Sequence, residues 1–193
     1  MRRYFKFLLA LDSGLFKTAK RFQYERFILS QLLVMALKGV PAFYLPALLA
    51  SENDIKSFSM TGQRRDLNRE KFKSENLLAI LNNPESNANK NLKYLRNAMD
   101  VRSELKQFHP CSQMKCLSNG RSDIVVIKRG KGPESVFAIH NMTENKINYQ
   151  LNDNDLPKII DNDFNTHDFL TSAKYNCKNI SLDPFQVIWL SAL

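Results

Sequence analysis

The sequence predicts an α/β plus all-β chain: the end of a (β/α)8 TIM barrel, followed by a small antiparallel β-sheet C-terminal domain. The barrel part comprises a last helix, a last strand and terminal helices. Three observations carry this. A helical pattern stops at Gly39 and runs directly into the short apolar stretch VPAFYL. A polar loop of some 20 residues follows, too long for a mere connection in a compact domain. Near residue 111 the texture then changes from helical to strand-like. These place a barrel part at residues 1–110 and an antiparallel β domain at 111–193.

The first helix is expected over residues 18–38. Phe22, Phe27, Leu29, Leu33 and Leu37 fall near helical spacing, and Thr18 can cap the start. Lys38 sits at the negative end of the helix dipole, and Gly39 tolerates the backbone that ends a helix. Residues 40–45 are apolar and rich in β-formers, as in a parallel strand covered on both faces. PALLAS adds about one helical turn. SENDIKSFSMTGQRRDLNREKF is polar and aperiodic and is expected as the long loop. In a barrel, loops at the C-terminal ends of strands carry the site.

Ser74 starts a short helix through Leu81, and Asn82-Asn83-Pro84 breaks it. A second helix is expected from about Ser86 to Gln107, with Leu92, Leu95, Met99, Arg102 and Leu105 on one face. Phe108-His109-Pro110 ends it. DIVVIK, a Gly-Lys-Gly-Pro turn and VFAIHN predict a β-hairpin. INYQL, a segment near Phe169, NISL and FQVIWL add strands. NDND at 152–155 and DND at 161–163 lack the glycine and terminal glutamate of a calcium loop, and are expected as acidic turns.

Bulk properties narrow the function. The 193 residues are 44% hydrophobic and 24% charged, enough for one core or two small ones. The net charge of +9 is spread along the chain, and no nucleic-acid motif accompanies it. An ordinary basic surface is expected, with no nucleic-acid partner. Cys111, Cys116 and Cys177 are odd in number and poorly spaced for zinc. They predict reduced thiols in a cytoplasmic protein that holds no metal and needs no cofactor. Asn141-Met142-Thr143 and Asn179-Ile180-Ser181 match the glycosylation sequon, which means little without a secretory route. MRRYFKFLLALDSG is not expected to act as a signal peptide, because Lys6 and Asp12 interrupt it. A spanning helix needs about 20 mostly apolar residues. Lys38, Gly39, Pro41 and Pro46 break the apolar passage 27–50, so no membrane association is expected.

One stretch reads ERFILSQLLVMALKGVPAFYLPALLASENDIKSFSMTGQRRDLNREKF. LKYLRNAMDVRSELKQFHP follows, and SLDPFQVIWL closes the chain. Taken together and in order, these resemble the C-terminal portion of the sucrose phosphorylase branch of glycoside hydrolase family 13. That branch includes the glucosylglycerate phosphorylases. The resemblance implies a retaining α-glucosyl transfer. A carboxylate attacks the anomeric carbon, a second carboxylic acid protonates the leaving group, and inorganic phosphate takes the sugar as α-glucose 1-phosphate. The substrates would be an α-glucoside and inorganic phosphate. The family's catalytic carboxylates come from earlier barrel strands. None is matched here, so no catalytic residue is expected in this chain, and the chain alone is expected to be inactive.

The resemblance also implies a substrate-binding set. Arg69 matches the arginine of the family's Asn-Arg dipeptide, whose planar five-donor fork suits sugar hydroxyls. Asn68 stands beside it. Arg64 and Arg65, on the same loop, could hold an acceptor's phosphate or carboxylate. The alternative is a stand-alone basic binding module or a non-functional remnant.

Overall fold

The computed structural model describes residues 21–51, 53–68, 71–152 and 165–191. Among the described residues five α-helices precede eight strands: α1 Gln23–Ala36, α2 Leu45–Leu48, α3 Ile55–Thr61, α4 Ser74–Asn82 and α5 Asn87–Glu104. The strands are β1 Met114–Leu117, β2 Ile124–Arg129, β3 Val136–Asn141, β4 Ile147–Tyr149, β5 Asn165–His167, β6 Lys174–Asn176, β7 Ile180–Leu182 and β8 Val187–Ser191. The described residues form two compact units. One comprises 42–96 with 21–23, the other 24–41 with 97–191. Among the described helices none is long and apolar enough to cross a membrane.

The first unit is helical. Its breaks follow its side chains. Pro84 forbids helical backbone at the residue before it, and Asn83 accordingly closes α4 in extended geometry, φ −86°, ψ 110°. Ser86 starts α5, its Oγ accepting from the Asn89 N–H at 3.1 Å and donating to the Ile80 carbonyl at 2.6 Å. Asn91, fully buried on α5, donates its Nδ2 to the carbonyls of Ala47 and Leu48 at 3.0 and 2.8 Å. Those are terminal carbonyls of α2, which have no partner within that helix. Asn91 thus fixes the segment that leads into the polar loop.

The second unit is built on an antiparallel sheet in the order β1-β2-β3-β8. The β2–β3 register pairs Ile127 with Ala138, and β3–β8 pairs Ala138 with Trp189. One face of this sheet carries Val126, Phe137, Ile139, Ile188 and Leu190 into a core with Leu151, Ile180 and Leu182. These last come from the side of the β4–β7 pair. The opposite face presents Arg129, His140 and Trp189. Phe108 stacks on Trp189 at 4.6 Å between ring centroids, and the C-terminal end of α1 reaches Arg129. With both faces covered, every residue of β3 is buried. This explains why VFAIHN lacks the polar alternation of a half-solvated strand.

Arg129 is the largest polar group in this interior. Its Nε, Nη1 and Nη2 donate to the carbonyls of Gln107, Ala36 and His109 at 3.2, 3.2 and 3.0 Å. Arg102 donates to Met35 and Gly39 carbonyls at 2.9 and 2.8 Å. Two cations therefore close the C-terminus of α1, where the dipole is negative. Burial lowers both arginines' pKa from the usual value.

Several expectations change. No strand forms at residues 40–45: 40–44 have no regular structure, and α2 begins at Leu45. The last barrel strand is thus absent among the described residues. The reason is physical, since a parallel strand exists only where neighbours complete its ladder, and none is present. Exposure still alternates there, with Val40, Ala42 and Tyr44 exposed and Pro41 and Phe43 less so. The polar loop is not structureless, since it contains α3 and a 3-10 turn at Asp66–Asn68. Helix α1 begins at Gln23, and the expected start at Thr18 lies outside the described residues. So does most of the acidic run 152–163. Strands β1 and β6 form where the sequence pattern predicts none.

Candidate functional site

The loop between α2 and α4 is the candidate ligand loop, and its own side chains hold it closed. Asp54 caps α3: Oδ1 accepts the Ser57 N–H at 2.8 Å and Oδ2 accepts the Ser57 hydroxyl at 2.5 Å. Gly62 ends that helix with φ 66°, its N–H returning to the Phe58 carbonyl at 2.8 Å. Thr61 donates its hydroxyl to Asp66 Oδ2 at 2.6 Å. The Asp54 N–H then reaches the Leu67 carbonyl at 2.7 Å, joining the two ends of the loop. A small, self-bonded loop of this kind can present side chains without a long ordering cost.

Arg64 and Arg65 occupy the turn between α3 and the 3-10 segment, both exposed. They stand next to each other in sequence on a loop tip, as a phosphate or carboxylate contact would need. Asn68 is the last residue of the 3-10 turn. Arg69 lies outside the described residues. The structure therefore places three of the four predicted binding residues on one closed loop and leaves the fourth undescribed.

Hydrogen bonds from Ser57's hydroxyl and N–H hold the Asp54 carboxyl below its ordinary pKa. The cap persists above the unfolded carboxylate range and is lost as pH falls through the lowered value. Asp54→Ala is expected to speed proteolytic nicking of residues 54–68 several-fold while leaving the fluorescence of Trp189, the sole tryptophan, unchanged. Equal nicking rates would show that this cap does not hold the loop.

Other polar groups that could do chemistry are structural. His140 is fully buried, and its Nδ1 faces the Val125 carbonyl at 3.2 Å. Burial pushes the Cys177 thiol up to about 11, which keeps it protonated and unreactive. Asp168 is fully buried and accepts from the Trp189 N–H at 2.7 Å, the Thr171 hydroxyl at 2.6 Å and the Leu170 N–H at 3.2 Å. It ties the β5–β6 turn to β8. No cluster of three metal-ligating side chains occurs among the described residues.

No family model matches the chain. Three curated relatives do, all named glucosylglycerate phosphorylase. The protein from Allomeiothermus silvanus is 31% identical over 126 residues, 65% of this chain and 22% of that protein. That from Escherichia coli is 22% identical over 165 residues, 86% of this chain and 28% of that protein. That from Spirochaeta thermophila is 29% identical over 115 residues, 60% of this chain and 17% of that protein. The matched stretches thus span under a third of each relative. Among solved structures, an Anoxybacillus α-amylase superposes with a TM-score of 0.62 at 15% identity, covering 88% of this chain and 32% of that one. A Bacillus licheniformis trehalose-6-phosphate hydrolase gives 0.61 at 16%, covering 89% and 39%. These structural likenesses concern the fold.

Proposed function

We propose that this chain, a relative of the glucosylglycerate phosphorylases with the fold of part of an α-amylase-family enzyme, is the C-terminal part of an α-glucosyl-transferring phosphorylase. In this reading residues 1–110 complete a (β/α)8 barrel and 111–193 form its β domain. An α-glucoside and inorganic phosphate give α-glucose 1-phosphate and a free acceptor, in the cytoplasm. The carboxylates that form and resolve the glucosyl-enzyme are supplied by polypeptide preceding these residues. This chain contributes the closed loop. Arg69 donates to glucosyl hydroxyls with Asn68 beside it, and Arg64 and Arg65 face the charged part of phosphate or acceptor. Glycerate is an anion, so a glycerate acceptor, released from glucosylglycerate, suits that arginine pair.

The observation that carries this is the agreement of three relatives in one name over 115 to 165 matched residues. The test joins the N-terminal part of the Escherichia coli relative to this chain. The chimera is expected to release glucose 1-phosphate from glucosylglycerate and phosphate, whereas the chain alone releases none. Arg69→Ala in the chimera should lower kcat/KM by about a hundredfold, the loss of one or two charge-assisted hydrogen bonds. A folded chimera without activity, or an Arg69→Ala variant with undiminished activity, would sink the reading.

A further inference from the structure

The connection between β1 and β2 contains Asn119-Gly120, in which the side-chain carbonyl carbon and the next backbone nitrogen belong to adjacent residues. Asn119 Oδ1 accepts the Arg121 N–H at 3.0 Å. That bond polarises the carbonyl toward attack and is placed to hold the charge that develops on the oxygen, as an oxyanion-hole donor would. The Asn119 Nδ2 is buried without a hydrogen-bond partner among the described residues, so nothing in the fold retains the leaving nitrogen. Gly120 has φ +69°, and a Cβ there would meet no atom within 4 Å. Glycine at 120 has no side chain of its own to shield its nitrogen. The turn borders an open cleft of about 400 Å³ lined in part by Cys116, Asn119, Arg121 and Val125, which admits water.

We infer that Asn119 is a site of spontaneous deamidation through a Gly120 succinimide. The Gly120 nitrogen, giving up its proton to solvent base, bonds to Asn119 Cγ, and the Cγ–Nδ2 bond breaks as Nδ2 takes a proton from water and leaves as ammonia. Water then opens either carbonyl of the ring, giving aspartate or isoaspartate. No oxidant or cofactor enters. The products differ in consequence. Aspartate keeps an oxygen on the Arg121 N–H. Isoaspartate inserts a methylene into the main chain of the turn, and the Leu117↔Val126 pairing next to it must shift.

Incubation of the folded chain in mildly alkaline buffer, with peptide mass mapping over weeks, tests this. Asn119 is expected to convert first, ahead of Asn148 and Asn176, which no glycine follows. Gly120→Ala should slow conversion about tenfold by shielding the nitrogen. Asn119→Ser should abolish the mass change there while the chain keeps its melting temperature. Unfolding in urea is expected to slow conversion, because the Arg121 contact is lost. Preferential conversion elsewhere, a Gly120→Ala rate equal to the parent's, or faster conversion in urea would each overturn the inference.

Discussion

Replacing Arg129 by alanine is expected to destabilise the β-containing unit by about 4 kcal/mol. The side chain has no solvent exposure and spends its donors on three carbonyls, those of Ala36, Gln107 and His109. Alanine leaves the buried Ala36 carbonyl and those of Gln107 and His109 without their donor and opens a void beside Phe108, whose ring lies 5.3 Å from the guanidinium. The loss is large against a total stability of about 5–15 kcal/mol for a domain. Lysine in its place can reach one or two of the carbonyls, and about half the loss should return. Urea unfolding followed by Trp189 fluorescence reads this unit directly, since Trp189 is the only tryptophan and stacks on Phe108. A midpoint unchanged in Arg129→Ala would mean that the C-terminus of α1 is held by Arg102 alone.

Arg129 also shows what the sequence conceals. It ends the strand IVVIKR, where an arginine before a Gly-Lys-Gly turn suggests a solvated rim. Its burial depends on α1, about 93 residues earlier in the chain, and no local pattern reports a contact of that range. The hairpin itself was legible, because its signal is local: two short runs of β-formers on either side of a Gly-Lys-Gly-Pro turn. Gly130 lies at φ 81°, and a Cβ there would sit 2.8 Å from Gln107 Cγ, so the residue type is required twice over. Asn83-Pro84 was legible for the same reason. Residues 40–45 were not, because apolarity states that a segment can be buried and not that its neighbours are present. The loop helix α3 was missed although its cap, Asp54 with Ser57, and its stop, Gly62, both stand in the sequence. It buries none of its seven residues, so no apolar stripe marks it. Strands β1 and β6 are short and mostly exposed or half-exposed. Of the candidate site, the arginine-bearing loop was legible as a functional length of chain, while its closure through Asp54, Leu67 and Asp66 is tertiary.

The β-containing unit should also lose stability between pH 6.5 and pH 4 through His140. Burial pushes this imidazole down to about 4 from 6.5, because the charged form has no water, and the hydrogen bond of Nδ1 to the Val125 carbonyl offsets only part of that cost. A base with a lowered folded pKa contributes stability that is complete above the unfolded pKa and is lost as pH falls through the folded one. The difference amounts to about 3 kcal/mol. Asp168 acts in the opposite sense. Burial raises its carboxyl above the ordinary value despite three donors around it. Its contribution is complete below the unfolded pKa and is lost as pH rises through the raised one. The two groups therefore oppose each other across the acid range, and only variants separate them. His140→Asn keeps a donor for Val125 and cannot charge, so its stability curve should be lower but should not decline from pH 6.5 to pH 4. Asp168→Asn removes the opposing group, and the acid decline should steepen. Trp189 fluorescence again reads the unit. If the parent and His140→Asn curves run parallel, the imidazole is protonated without cost, and the buried ring must gain a second acceptor as it charges.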